Sequence, residues 1–179
     1  MSASIHPTLR TWRVDDFPAY VLLHSDPHVV EWLGGAQLSN EQMHAAFDRT
    51  RKFLDENGWG MWAITDERGL VVGAAGLQPV REGLPSYPGV EAAWRLAFAA
   101  QGKGRVTTAM QALLPWAFAN IDGLDEIQTF TARSNIKSQS VMKRLGFVAD
   151  PTRDFDHPAL PEGHPLRSHV FYAMKRPDA

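Results

Sequence analysis

The chain has 179 residues, 44% hydrophobic and 21% charged, a formal net charge of −2 and no cysteine. That is enough for one domain with a real core, too short for two ordinary ones, and too apolar for a disordered chain, so residues 1–179 are expected to form a single domain. Excluded are disulfides, thiolate metal sites, a cysteine nucleophile and nucleic-acid binding by bulk charge.

No apolar run approaches the ~20 residues of a membrane span, so no membrane partner is expected. The start, Met1 to His6, lacks the charged-then-apolar layout of a signal peptide, which makes the cytoplasm the expected location. Residues 9–14 read as a first strand or its approach. Residues 15–25 read as a helix, with Asp15 and Asp16 in its first turn and Pro18 tolerable only near its start. Residues 26–33 form a second short helical piece stopped by Gly34 and Gly35. Ser39 and Gln42 have the spacing of a capping box. Met43, Ala46, Phe47, Thr50 and Leu54 then recur on one face of a helix that Asn57 and Gly58 end.

The period then changes. Residues 59–65 and 70–77 read as strands joined by a hairpin turn over 66–69. Residues 78–89 hold three prolines and two glycines and form a loop. Val90, Ala92, Trp94, Leu96 and Phe98 alternate with Glu91, Ala93, Arg95 and Ala97, the pattern of a strand with one apolar face. Val106, Ala109, Met110, Leu113 and Ala117 mark a helix that Pro115 should kink or break. Residues 125–132 read as a strand. Ser138, Val141, Met142 and Leu145 mark a short helix closed by Gly146. Residues 147–149 read as a short strand, 150–167 as a loop with four prolines, and 168–174 as a final strand. The order predicts an α+β domain with a mixed sheet covered by helices.

Gln101-Gly102-Lys103-Gly104-Arg105-Val106 lies between a strand and a long helix. Free N–H groups at a helix start, the macrodipole and two glycines that let the backbone come close suit a diphosphate, and Lys103 and Arg105 add positive charge. A Walker A loop would need Lys-Ser or Lys-Thr after its last glycine, and Arg105 stands there. A dinucleotide fingerprint would need a third glycine where Thr107 stands. By itself the segment is equally an ordinary strand-to-helix turn.

Read with Asn135, Ser138 and the Leu145-Gly146-Phe147 ending, the turn resembles the GNAT superfamily of N-acetyltransferases. Gln101, Gly104 and Val106 stand at the three positions of the family's Gln/Arg-x-x-Gly-x-Gly/Ala phosphate signature. Glu91-Ala-Ala-Trp-Arg-Leu96 and His169-Val-Phe-Tyr172 are similar to the branch that acetylates protein N-termini, including those of ribosomal proteins. The resemblance covers roughly residues 8–175. It implies a mostly antiparallel mixed sheet with helices on both faces. It also implies a splayed parallel strand pair that holds acetyl-CoA as cosubstrate, with no metal.

In that reading the pantetheine arm bonds to the strand at Leu96, Ala97 and Phe98, and residues Gln101, Gly102, Lys103, Gly104, Arg105 and Val106 hold the diphosphate. An acceptor amine, from a small molecule or a protein N-terminus, attacks the thioester directly. Glu91 is a candidate base, or else an ion-paired strand carboxylate. Asn135 contacts the pantetheine or caps the following helix. Ser138 helps protonate the departing thiolate, or is simply small. Lys143 and Arg144 read as a solvated helix face, and His157, His164 and His169 do not have metal-ligand spacing.

Two departures stand out: Val106 replaces a smaller residue, and Met142 stands where many relatives carry a tyrosine general acid. Met142 keeps open a second reading, a domain that binds acyl-CoA without chemistry. A nucleotide-binding module of another fold is a third. No nucleic-acid partner is expected, and a homodimer is left open.

Overall fold

The computed structural model describes residues 5–34 and 38–177; the expected stop at Gly35 lies outside them. Eight strands form one sheet: β1 (Leu9–Arg10), β2 (Met61–Thr65), β3 (Val71–Pro79), β4 (Val90–Leu96), β5 (Glu126–Ala132), β6 (Val148–Ala149), β7 (Phe155–Asp156) and β8 (Ser168–Lys175). The spatial order is β1-β2-β3-β4-β5-β8-β6, with β7 also pairing with β8. Every pair is antiparallel except β4 with β5. This is the mixed, mostly antiparallel sheet that the sequence resemblance implied.

Helix α1 (Phe17–Ser25) follows a 3-10 turn at Val14–Asp16 and carries Pro18 in its first turn. Helix α2 (Pro27–Val30) is capped by Asp26, which accepts from the His28 N–H at 3.0 Å, and continues as a 3-10 turn over Glu31–Leu33. Helix α3 (Asn40–Asn57) opens with the expected capping box. Gln42 N–H donates to Ser39 Oγ at 3.2 Å and Ser39 N–H donates to Gln42 Oε1 at 2.8 Å. Helices α4 (Arg105–Asn120) and α5 (Ile136–Leu145) complete the set.

Cross-strand register decides which helix covers which face. Trp62, Ala75 and Trp94 are aligned across β2, β3 and β4, and Trp62 meets Trp116 of α4 edge-on with centroids 5.8 Å apart. Ala63, Ala74 and Arg95 are the next row, and Arg95 meets His24 of α1. Successive residues point to opposite faces, so α4 covers one face and α1 the other. On the α1 side Phe47 of α3 is 2% exposed and touches the rings of Trp12, Phe17 and Tyr20 at 5.9, 5.5 and 5.1 Å. Trp12 ties this cluster to the sheet by donating to Met61 O at 2.9 Å.

Two expectations need correction. Pro115 does not break α4, which runs unbroken over 16 residues. Both Pro115 and Gln111, whose carbonyl loses its partner to the proline, are exposed, so the lost bond falls on the side where water can replace it. The segment 150–167 is not all loop. It forms a 3-10 turn at Pro151–Arg153 and then β7, whose Phe155 pairs with His169 and packs edge-on against Phe130. A two-residue strand is too short to show a period in sequence.

Because Phe47 joins α1 and α3 to the β1–β2 edge, Phe47→Ala should cost about 3–5 kcal/mol of stability. Urea unfolding monitored by tryptophan fluorescence would measure it, and a loss below ~1 kcal/mol would show that the cluster relaxes into the gap.

Candidate active site

The sheet opens in its middle. β4 pairs with β3 over seven residues, from Leu96 opposite Gly73 to Val90 opposite Pro79. β5 pairs with β8 over seven residues, from Glu126 opposite Lys175 to Ala132 opposite His169. Between β4 and β5 only one register pair forms, Glu91 with Gln128. Each strand is committed to a different partner on its far edge, and the sheet's twist carries the two apart beyond that point. Contact at the pair is close. A Cβ on Gly89 would lie 1.7 Å from Gln128 Nε2, which donates to Ser86 O at 3.1 Å.

Beyond the pair lies a cavity of about 670 Å³ walled by α2, β4, the turn before α4, and α5. Ala97 N–H bonds back to Val72 O of β3 at 2.9 Å. By alternation, Trp94 and Leu96 therefore turn their N–H and C=O groups toward the gap. Leu96 O already accepts from Gln101 Nε2 at 3.1 Å, and Phe98 N–H donates to Asp26 Oδ2 at 2.9 Å.

At the turn, Gly102 and Gly104 have φ of 77° and 71°. A Cβ on Gly102 would meet nothing within 4 Å, and one on Gly104 only Thr108 Oγ1 at 4.0 Å. Glycine is needed there for the left-handed conformation rather than for space. The first turn of α4, whose N–H groups have no partner within the helix, lines the cavity at Arg105, Val106 and Thr107, a setting that suits an anion. Arg105 lines the cavity, but its guanidinium is held by Glu67 of the β2–β3 turn at 2.8 and 2.7 Å. That contact holds the Glu67 carboxyl below its ordinary pKa. Lys103 is exposed and does not line the cavity, whereas Lys137 and Arg144 do so from α5.

At the start of α5, Asn135 Oδ1 accepts from Ser138 N–H at 3.1 Å, so Asn135 caps the helix while also lining the cavity beside Ser138. Met142 is 1% exposed in the core and lies off the cavity wall.

On the α1 face of β4, Glu91 Oε2 accepts from Gln78 Nε2 at 3.0 Å. Burial pushes the Glu91 carboxyl above its ordinary pKa, against the pull of the Gln78 bond and the positive charges of Arg95 and Arg81. Burial, then the neighbouring His169 and Arg81, lower the His157 pKa. Four residues along, Arg95 Nη1 lies 3.3 Å from His24 Nε2. His24 Nδ1 is 2.8 Å from Tyr20 O and must donate to it, which leaves Nε2 as the acceptor. Burial, with Arg95 adding to it, lowers the His24 pKa to about 4.

Of the residues singled out from sequence, Leu96, Phe98, Gln101, Gly102, Gly104, Arg105, Val106, Asn135 and Ser138 line the cavity. Ala97 faces β3, Lys103 faces solvent, and Glu91 sits at the apex of the split rather than on the cavity wall. Sequence reasoning missed the α2 wall (His28, Val29, Trp32) and Arg144. The α2 segment carried no chemical motif. Arg144 follows Lys137 by seven positions on the same helix face, a spacing that was readable.

A family model described as an acetyltransferase (GNAT) domain matches residues 7–148, and the chain belongs to that family. A cavity at a strand split, facing a glycine-started helix, is the setting in which the family match gains its meaning: the chain is an acyltransferase. It is similar to an acetyltransferase from Agrobacterium tumefaciens str. C58, with 25% identity, 94% of this chain and 90% of that chain covered, and a TM-score of 0.71. A ribosomal-protein-alanine N-acetyltransferase from Brucella melitensis shares the fold at 18% identity, with coverage of 94% and 99% and a TM-score of 0.72. So does a spermidine N-acetyltransferase from Vibrio cholerae, solved with CoA and spermine, at 18% identity, with 94% of each chain covered and a TM-score of 0.72.

The His24 tautomer has a measurable consequence. Its folded pKa of about 4 lies below the ordinary 6.5, so its contribution to stability is present above pH 6.5 and is lost as pH falls toward 4. By the free energy of a pKa unit, the loss amounts to up to about 3 kcal/mol. Glu91, with a raised pKa, works in the opposite direction, so the comparison of wild type with His24→Leu isolates the histidine. Denaturant unfolding between pH 4 and 7 should give a flatter profile for the variant; parallel profiles would refute the assignment.

Proposed function

We propose that this chain transfers the acetyl group of acetyl-CoA to a primary amine by direct attack within a ternary complex. The observation that carries the reading is the split between β4 and β5, with the α4 amides along its mouth and a protonatable carboxylate at its apex. The residues suit the cosubstrate. The first amides of α4, with Lys137 and Arg144 opposite them, match a diphosphate, and the edge of β4 at Trp94 and Leu96 matches an amide-bearing arm. Acetyl-CoA would supply the activated acyl group.

Glu91 takes the proton from the acceptor ammonium, for which a carboxylate with a raised pKa is better matched to neutral pH than an ordinary one. The hydroxyl of Ser138 stands on the cavity wall to protonate the leaving sulfur. With no cysteine in the chain, a covalent acetyl-enzyme has few carriers. The acceptor enters between the loops 78–89 and 150–167, the proline-rich segments that precede β4 and β8. A peptide α-amine or a small amine fits this reading. It places the work in one domain and in the cytoplasm; no helix among the described residues is long and apolar enough to cross a membrane.

Three variants test the two ends of the split. Gly104→Asp puts a carboxylate at the anion position in a residue type that tolerates positive φ, and should abolish acetyl-CoA binding in calorimetry. Gly104→Asn, neutral and of the same shape, should retain it, and equal loss in both would assign the effect to strain. Glu91→Gln should lower kcat about a hundredfold or more with acetyl-CoA affinity unchanged. Unaltered turnover from pH 6 to 9 would remove Glu91 from the chemistry.

A further inference from the structure

Arg95 is a charged group on the cavity wall to which the proposed function gives no role. Side-chain alternation puts it on the same face of β4 as Glu91, turned toward α1 and away from the α4 side. It lines the cavity, so its accessible surface opens there, yet protein surrounds the guanidinium closely enough that burial lowers its pKa. A guanidinium has five N–H donors and keeps its charge in proteins. Among the described residues this one makes a single hydrogen bond, to His24 Nε2 at 3.3 Å, and forms no ion pair.

Its partner cannot supply the missing charge. His24 donates through Nδ1 to Tyr20 O and is neutral, and protonating its Nε2 would set two cations against each other. Glu91, on the same face, and Tyr20 favour the Arg95 charge from a distance, but the Glu91 carboxylate is bonded to Gln78 and not to Arg95. Buried charges are ordinarily paired, because desolvation without a counter-charge costs several kcal/mol. The other arginine of the β4–α4 segment shows the usual solution: Arg105 is held through both oxygens of Glu67.

The surroundings fit an anionic ligand. Besides Arg95, the charged side chains on the cavity wall are Arg105, Lys137, Arg144 and the exposed Glu31. Arg105, Lys137 and Arg144 belong to α4 and α5, the walls that would face the phosphates. Arg95 is held instead on the face that carries Glu91, about 13 Å away along the strand backbone at ~3.3 Å per residue, a gap that two long side chains narrow.

We infer that Arg95 recognises a carboxylate on the acceptor, so that the substrate is a primary amine bearing a carboxylate. This rests on the acetyltransferase reading of the same site. The planar fork of the guanidinium matches a carboxylate through two parallel bonds, which orients the acceptor as well as holding it. A polyamine would instead bring a second ammonium toward a guanidinium that no carboxylate bonds, and is disfavoured.

The test uses the full chain saturated with CoA, so that binding is read without turnover. Calorimetric titration would compare the α-amino acids, and the ω-amino acids from β-alanine to 6-aminohexanoate, each with its carboxamide. At least one carboxylate is expected to bind tenfold or more tightly than its amide. R95M should erase that preference and R95K should restore part of it, with unfolding temperatures of both variants measured to confirm folding. CoA affinity should be the same in wild type and R95M. No tenfold pair in the wild type, a preference that survives in R95M, or a tenfold loss of CoA affinity in R95M would each overturn the inference, the last by assigning the guanidinium to the cosubstrate. Thioester cleavage followed on the same panel separates the two readings. Acetylation of amides and acids alike leaves the acetyltransferase standing and removes the role of Arg95. Carboxylate-selective binding with no cleavage for any amine does the reverse.

Discussion

Everything around the cavity depends on one constraint: β4 and β5 are neighbours that pair at a single point. Each has its other edge fixed over seven residues, to β3 and to β8. Closing the split would restore ladder hydrogen bonds but would require one of those longer pairings to slip, and a one-residue slip moves every side chain of the strand to the wrong face. The exposed edge that results would be a liability if left bare. The chain covers its outer end with its own groups, Asp26 on the Phe98 N–H and Gln101 on the Leu96 carbonyl. The part nearer the apex, at Trp94, is turned toward the cavity.

The same alternation that builds the strand separates two kinds of chemistry. Trp94 and its row face α4, where Trp62 and Trp116 pack and no charge is buried between them. Glu91 and Arg95 lie on the other face, Glu91 bonded to Gln78 of β3 and Arg95 to His24 of α1. Both are surrounded by protein, and their pKa values move in opposite senses for one physical reason: burial disfavours the charged form of each. For the carboxylate that shift brings it nearer to a base useful at neutral pH. For the guanidinium, whose ordinary pKa is far above neutrality, the charge persists, favoured by Glu91 along the strand but bonded to no carboxylate.

How much of this was legible beforehand follows from the range of each interaction. Signals confined to a few residues were readable: the Ser39–Gln42 capping box, the 66–69 hairpin, the glycine-spaced turn and the α+β order all appear in the structure. Glu91 and Arg95 could be placed on one face of one strand from alternation alone. Whether that face was wet could not be known, because it depends on α1, whose His24 is 71 residues from Arg95 in the chain. The α2 wall carried no motif since it contributes shape rather than chemistry. Pro115 misled because the local rule counts a lost hydrogen bond without asking whether its carbonyl faces water. The role assigned to Arg105 overlooked Glu67, a partner 38 residues earlier that no local pattern links to the turn.

Met142 shows how a motif position and a side-chain position differ. Counting from Asn135 puts it where a general acid is expected, but α5 turns that position into the core, 1% exposed, while Lys137, Ser138, Val141 and Arg144 form the face on the cavity. A tyrosine at 142 would need the helix to rotate before its hydroxyl could reach the cavity, so the methionine marks how this helix is packed and says little about lost chemistry. The demand on a general acid is also modest. A thiol with a pKa of ~8.5 departs as its thiolate with little assistance near neutral pH, whereas an ammonium with a pKa of ~10 has no lone pair until a base removes its proton. The group the proposed reaction can least do without is therefore the base, the role proposed for Glu91, whose half-buried, raised-pKa carboxylate lies at the one register pair that the two diverging strands share.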